Sequence, residues 1–114
     1  MSFMKVYTQV LTEGEKNPNY KKQIAEVQKL GFKADSIGSY VTNLFKDALM
    51  VTVESQPSTP GQNLSLAVPL SDKLTKLIPA AMRGRYEDTS IFFENTTELK
   101  KFLSGKKSKF EAGR

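Results

Sequence analysis

A short run in the second half of the chain, Arg83-Gly84-Arg85-Tyr86, combines two guanidinium groups with one aromatic ring. Guanidinium groups bind phosphate through paired hydrogen bonds, and a tyrosine ring stacks on a nucleic-acid base. The glycine has no side chain, so a ligand can approach the backbone closely at this point. The run therefore predicts contacts to a nucleic acid. The alternative is a solvated turn whose arginines pair with the two acids that follow.

Basic and aromatic residues also alternate near the start of the chain. On one face of a sheet, such residues form a platform for single-stranded nucleic acid, because the rings stack on bases and the ammonium groups bind phosphates. In the alternative, the tyrosines lie at the edge of the core and the lysines protect sheet edges from aggregation. The set consists of Lys5, Tyr7, Tyr20, Lys21, Lys22, Lys29 and Lys33.

The positive charge of the chain is concentrated at its end. The formal net charge is +5, and residues 100–114, with six basic residues and one acid, carry a balance of the same size. A basic tail binds an anionic partner or keeps the protein soluble. Lys106, Lys107 and Lys109 are the candidate contacts in this tail, and the tail from residue 106 onwards is expected to be mobile in isolation.

The composition excludes several kinds of catalytic and metal site. The chain has no cysteine and no histidine, so it can form no disulfide, thiol nucleophile, Cys/His zinc site or Ser–His triad. Its acids lack the spacing of an EF-hand, and it has no glycine-rich phosphate loop. We therefore predict a protein that is not an enzyme and that needs no cofactor or metal. Without cysteine, a signal sequence or a long apolar run, we expect a cytoplasmic location and no membrane contact.

Two strands joined by a loop form the clearest structural pattern. Apolar residues alternate with polar ones over residues 48–55 and again over 63–70, with a Pro/Gly-rich loop between, which predicts an antiparallel pair. A further strand is predicted over 3–12. Residues 20–30 form either a helix, with Asn17 as the N-cap and Gly31 as the stop, or a strand that pairs back on the first one.

The other elements are mostly helical. Apolar residues at helical spacing predict a helix over 35–50, capped by Asp35 or Ser36. Ser71 is expected to cap a short helix that ends at Pro79, and Thr96 or Thr97 a final helix that ends at Gly105; residues 89–94 form a strand between them. The residues expected to point inward from the two short helices are Leu74, Leu77, Ile78, Leu99, Phe102 and Leu103.

The pattern as a whole predicts an α+β fold in a single domain. We expect a small antiparallel sheet or an OB-like barrel of about five strands, with one longer and two short helices. The domain spans residues 1–105, and residues 106–114 form the basic C-terminal tail.

Read as strand, turn and strand, residues 5–7 and 17–23 resemble the opening hairpin of small single-stranded-DNA-binding proteins of phages and plasmids. Residues 77–81 and 84–86 resemble the entry to a late strand in that family. The resemblance implies an OB-like barrel that coats single-stranded DNA during replication, often as a dimer. It also implies tyrosine stacking on bases and Lys/Arg contacts to phosphates.

Read as strand, helix and helix, residues 5–49 instead resemble a ribbon-helix-helix repressor. Residues 29–32 would form the turn between the helices, and 36–49 the second helix. That resemblance implies an intertwined dimer with Lys5, Tyr7 and Gln9 in the major groove of a DNA duplex. A third class, a small protein that binds and inhibits another protein, fits a basic chain without catalytic residues.

Both resemblances imply binding to nucleic acid, so nucleic-acid binding is the leading functional prediction. Single-stranded DNA is the first choice of partner, with duplex DNA or RNA as alternatives, and a homodimer is the favoured assembly. The predicted contacts are Lys5, Tyr7, Tyr20, Lys21, Lys22, Arg83, Arg85, Tyr86, Lys106, Lys107 and Lys109.

Overall fold

The computed structural model describes residues 17–84, 87–106 and 108–112, with the side chains included as far as residue 110. The strand predicted at 3–12 lies outside the described residues. So do five of the predicted contacts, which are Lys5, Tyr7, Arg85, Tyr86 and Lys107.

An antiparallel sheet forms the centre of the fold, and its strands lie in the order in which they occur in the chain. Each strand pairs with the next, so the sheet is an open meander over the described residues, and the predicted α+β fold with a small antiparallel sheet is confirmed. The strands are β1 (Lys33–Ala34), β2 (Val41–Lys46), β3 (Leu49–Glu54), β4 (Leu64–Pro69), β5 (Asp88–Phe93) and β6 (Glu111–Ala112).

One face of the sheet carries the core. A row of four apolar residues, Leu44, Val51, Leu66 and Ile91, crosses β2 to β5 in register, and none of the four is exposed to solvent. Because side chains alternate along a strand, the neighbours of these residues point to the opposite face. The predicted hairpin over 48–55 and 63–70 is confirmed by β3 and β4.

Two helices cover this core face, α1 (Tyr20–Lys29) and α2 (Thr96–Leu103). In α1, Tyr20, Ile24 and Val27 are buried at helical spacing, so the helical alternative for residues 20–30 is correct and the strand alternative is wrong. The N-cap is Asn19 and not the predicted Asn17. The final helix is confirmed as α2, but its N-cap is the residue before the two predicted threonines. The side chain of Asn95 accepts a hydrogen bond from the backbone N–H of Glu98 at 3.0 Å.

The helix predicted over 35–50 is wrong, because these residues form a loop, β2 and the turn into β3. The turn consists of two residues, Asp47 and Ala48, and Asp47 has φ 54°, a conformation that suits tight hairpins and that Asp tolerates. Leu44 is fully buried, whereas Val41 and Phe45 are each 46% exposed on the other face. Helical spacing of apolar residues was therefore a coincidence here.

Two short 3-10 helices, Lys73–Leu77 and Ala80–Met82, connect β4 to β5. Asp72, rather than Ser71, caps the first one, since its side chain accepts from the Leu74 N–H at 2.8 Å. Leu74 and Ile78 are buried as predicted, but Leu77 is 40% exposed.

The described part of the basic tail packs against the domain. The ring of Phe110 lies 6.2 Å from the ring of Phe93 and 5.7 Å from that of Phe102, and β6 pairs with β5. The expectation of a mobile tail is therefore wrong for these residues. The apolar ring and the strand pairing hold this segment in place.

Candidate nucleic-acid interface

The outer surface of the two helices carries an excess of positive charge. α1 and α2 together contain five lysines and two glutamates, and all five lysines are exposed. Within the described part of the chain, only Lys101 forms an ion pair, with Glu98 at 3.4 Å. We call this surface the helix layer; its lysines are Lys21, Lys22, Lys29, Lys100 and Lys101.

A groove runs between the two helices and is open to solvent. It has a volume of about 310 Å³, and Lys29 of α1 and Lys100 of α2 both line it. Glu26 also lines the groove, and its carboxylate accepts a hydrogen bond from the Thr96 hydroxyl at 2.8 Å. This bond joins the helices and leaves one negative charge between the cations.

The helical repeat places further lysines beside the groove. Lys22, Glu26 and Lys29 are spaced by four and three residues, so they form one stripe on α1. The two lysines of the stripe are about 10 Å apart along the helix axis. Lys21 lies about 100° around the helix from Lys22. The predicted contacts Lys21 and Lys22 are therefore on the exposed side of α1 with Lys29.

Tyr20 does not belong to an exposed platform, and the prediction that its ring faces outward is wrong. The residue is 7% exposed, and its hydroxyl lies 2.6 Å from the Gly38 carbonyl oxygen and 2.7 Å from the Thr42 hydroxyl. A ring in the core cannot stack on a nucleic-acid base. The helix accounts for this burial, because it turns Tyr20 towards the sheet and Lys21 and Lys22 towards solvent.

Arg83 has a structural contact as well as an exposed position. Its Nε donates to the Ile78 carbonyl oxygen at 2.8 Å, and its Nη2 donates to the Lys76 carbonyl oxygen at 3.4 Å. The guanidinium therefore holds the connection between the two 3-10 helices. The Arg83 side chain pairs with carbonyl groups and not with the acids at 87 and 88, which was the alternative to the phosphate-binding prediction.

Lys106 and Lys109 lie at a second location, beyond the C-terminal end of α2. Both are exposed, and both line a cavity with Leu77, Pro79 and Met82. The structure thus brings the described tail lysines close to the segment that precedes Arg83. It does not place them in the groove between α1 and α2.

Glu98 fixes the position of the tail. Its carboxylate accepts a hydrogen bond from the Lys109 backbone N–H at 2.7 Å. This bond, and the charge of Lys101, hold the pKa of Glu98 below its ordinary value, while partial removal from water opposes the change. The carboxylate is therefore anionic at neutral pH and is already engaged by donors.

Sequence reasoning missed Lys100 and Lys101 as candidate contacts. Their signal was present in the final helix, because Leu99 and Phe102 are the buried residues and the positions between them must face solvent. What the sequence could not show is that α1 lies beside α2. That packing brings Lys100 to the same groove as Lys29.

The described residues contain no group of three or more acidic side chains that could hold a metal ion. None of the described helices has the length and apolar character needed to cross a membrane. No protein-family model, curated protein or solved structure matches this chain. The two family resemblances therefore stay predictions.

Proposed function

We propose that this protein is a non-catalytic nucleic-acid-binding protein, with single-stranded DNA as its first ligand. The observation that carries the proposal is the set of exposed lysines on the helix layer, four of which have no carboxylate partner within the described residues. Unpaired ammonium groups on a rigid surface bind phosphates and release the counterions of the nucleic acid. The cytoplasmic location expected for a chain without cysteine agrees with this role.

The proposed contacts are to the backbone of the nucleic acid. Lysine is a point charge that binds phosphate without reading the sequence, and no aromatic side chain is exposed on α1 or α2. Binding through this surface is therefore tolerant of sequence, as in proteins that coat single strands during phage or plasmid replication. Lys21 and Lys22 extend the contact beyond the groove lined by Lys29 and Lys100.

The fold agrees fully with neither family resemblance, because the opening hairpin of the single-strand family needs a strand at residues 20–23, which belong to α1. The ribbon-helix-helix resemblance needs a second helix over 36–49, and β2 and the start of β3 occupy those residues. A strand cannot supply the helical dimer core of that family. Duplex DNA and RNA are therefore included as competing ligands in the experiment.

Fluorescence anisotropy with oligo-dT, a duplex of equal length and oligo-U tests the proposal at two salt concentrations. We expect the protein to bind oligo-dT and to lose affinity as salt is raised. The variant K29Q/K100Q should bind all sequences more weakly, and its slope of log affinity against log salt should fall by about 1.4, since each phosphate contact in a single strand contributes about 0.7. K21Q/K22Q should behave similarly.

The matched control is K73Q/K76Q, which removes the same charge from exposed lysines of the first 3-10 helix. It should leave the salt slope within error of the wild-type value. Equal losses in the control and in K29Q/K100Q would show that net charge alone is responsible and would reject the helix layer as the site. No binding of any oligonucleotide at low salt would reject the function.

A second candidate function is protein binding, with a second copy of the chain as the partner. Its support is four exposed apolar or aromatic side chains in β2 and in the loop before it, Ile37, Tyr40, Val41 and Phe45, which are between 46% and 65% exposed. Val41 and Phe45 point to the same face of β2 and form an apolar patch there. None of the four is charged, so contact through these side chains would bury no unpaired charge. This would form the homodimer expected from the sequence.

Sedimentation velocity over a hundredfold range of protein concentration tests self-association. We expect a monomer–dimer equilibrium that V41T/F45T shifts towards the monomer without change in the circular dichroism spectrum. Both substitutions retain good strand formers at exposed positions. A wild-type protein that stays monomeric at high concentration would reject this patch as a dimer interface.

A further inference from the structure

A cavity separates the 3-10 helices from the segment that follows α2, and its volume is about 570 Å³. This value lies within the range of small-molecule sites, about 300–1,000 Å³. None of the predicted functions uses this cavity as a pocket. Its described lining consists of Leu77, Pro79, Met82, Phe102, Lys106, Ser108, Lys109 and Phe110.

Apolar side chains form most of the wall. The rings of Phe102 and Phe110 meet edge to face, with centroids 5.7 Å apart and planes at 73°. Met82 is half-buried, and its flexible side chain can adapt its shape to a ligand. Leu77 also belongs to the apolar wall and is 40% exposed. A wall of this kind takes up a hydrocarbon chain.

The polar side chains that line the cavity are few, and each of them can donate a hydrogen bond. The Ser108 hydroxyl is buried and has no hydrogen-bond partner among the described residues. Lys106 and Lys109 are both exposed, and neither forms an ion pair with a described residue. A buried hydroxyl without a partner is uncommon in proteins. Because solvent does not reach this oxygen, the Ser108 side chain must rotate towards the cavity to donate to a ligand oxygen.

We propose that this cavity binds a medium-chain fatty acid. The carboxylate lies between the Lys106 and Lys109 ammonium groups and accepts a hydrogen bond from the Ser108 hydroxyl. The hydrocarbon chain lies against Met82, Phe102 and Phe110. The head group and the hydrocarbon chain each have a matching wall, because Lys109 follows Ser108 directly, Lys106 lies two residues before it, and the rings of Phe102 and Phe110 line the same cavity.

This site is separate from the proposed nucleic-acid interface. The groove between α1 and α2 is lined by Lys29 and Lys100, and the two sets of described lining residues have no member in common. Failure of oligonucleotide binding would therefore leave the fatty-acid proposal standing. The converse also holds.

Isothermal titration calorimetry with octanoate, decanoate and dodecanoate, each below its micelle concentration, tests the proposal on the full chain. We expect one site, with affinity rising about fourfold for each added CH2 until the cavity is filled. Decanol keeps the chain without the charge, and decyltrimethylammonium reverses the charge. Both should bind at least tenfold more weakly than decanoate.

Variants assign the head-group contacts. K106Q/K109Q should lower the affinity for decanoate about tenfold and leave that for decanol unchanged, and S108A should also weaken decanoate. The control K73Q/K76Q should bind decanoate as the wild type does. Circular dichroism checks the fold of each variant, and S108A serves if the double variant does not fold, because it removes only one oxygen.

Three results would overturn the proposal. The first is the absence of saturable binding of decanoate to a folded protein. The second is equal affinity for decanoate, decanol and decyltrimethylammonium, which would indicate a non-specific apolar surface. The third is displacement of decanoate by oligo-dT in both the wild type and K29Q/K100Q, which would make the cavity a site for an unpaired base.

Discussion

The hydroxyl of Tyr20 in α1 donates a hydrogen bond to the Gly38 carbonyl oxygen at 2.6 Å, and thereby ties the first helix to the loop before β2. A tyrosine hydroxyl has a single hydrogen, so the Thr42 hydroxyl, 2.7 Å away, must donate to Tyr20. The Thr42 oxygen in turn accepts from the Gly38 N–H at 3.1 Å. The three residues therefore form a closed ring of hydrogen bonds.

The first prediction is that Tyr20→Phe lowers the free energy of unfolding by about 1–2 kcal/mol. The ring stays buried, but the Gly38 carbonyl oxygen and the Thr42 hydroxyl lose a partner inside the protein. Urea denaturation measures the change. Oligo-dT affinity should not change, because Tyr20 has no exposed role, and a loss of affinity in a folded variant would contradict its burial.

The second prediction concerns the space at Gly38. A Cβ placed on this residue would lie 2.3 Å from the Val41 carbonyl oxygen, which is backbone and cannot move aside as a side chain would. Gly38→Ala should therefore destabilise the fold by about 2 kcal/mol or more. Ser39→Ala, at the exposed neighbouring position, is the control and should stay within about 0.5 kcal/mol of the wild type. Equal melting temperatures for the two variants would show that the loop shifts freely.

The hairpin of β3 and β4 was predictable, because the alternation of apolar and polar residues there agrees with the burial of the side chains. Leu64, Leu66 and Val68 are all fully buried on one face of β4. In β2 they disagree, since Val41 and Phe45 are apolar and exposed. A sequence rule that equates apolar with buried then finds a helical stripe where the structure has a strand. The signal that favoured a strand was Asp47 at the two-residue turn.

Only part of the candidate site could be predicted, because the exposure of its side chains depends on which secondary structure the segment forms. Whether Lys21 and Lys22 both face solvent when Tyr20 is buried depends on whether the segment is a helix or a strand. For residues 20–30 the sequence left both possibilities open. The helix settles it by placing both lysines outside and Tyr20 inside. The placement of Lys29 and Lys100 at the same groove depends on the packing of α1 against α2, for which the sequence has no local signal.

The third prediction concerns pH. The pKa of Glu98 is lowered in the folded protein, chiefly by the hydrogen bond from the Lys109 N–H, so the anionic form favours folding. This contribution is fully present above the ordinary glutamate pKa of about 4.3 and is lost as the pH falls through the lower folded value. We expect Glu98→Gln to be less stable than the wild type at pH 7, with the difference closing below about pH 4.

Urea denaturation of both proteins at several pH values between neutral and acid measures that difference. Glu94→Gln is the matched control, because Glu94 is an exposed glutamate just before α2 whose side chain makes no hydrogen bond within the described residues. Its difference from the wild type should not depend on pH in the same range. A constant difference for Glu98→Gln would mean that the charge of the carboxylate has no part in holding the tail.

The fourth prediction is that Glu26→Gln strengthens nucleic-acid binding. Glu26 is the acid in the groove lined by Lys29 and Lys100, and its charge opposes the approach of a phosphate. A carboxylate about 6 Å from a phosphate costs roughly 0.7 kcal/mol in water, so its removal should raise oligo-dT affinity about threefold at low salt. Glutamine keeps an oxygen that can accept from the Thr96 hydroxyl, so the packing of α1 on α2 should be retained.

Anisotropy titrations of Glu26→Gln and of the control Glu54→Gln separate this effect from a change in net charge. Glu54 lies on β3, on the face of the sheet that points away from both helices, and its substitution changes the formal charge by the same amount. A phosphate held at the groove senses the near carboxylate far more than a distant one, because salt screens charges beyond about 8–10 Å. Only Glu26→Gln should therefore gain affinity, and that gain should shrink as salt is added. Equal gains in both variants would place the nucleic acid elsewhere on the protein.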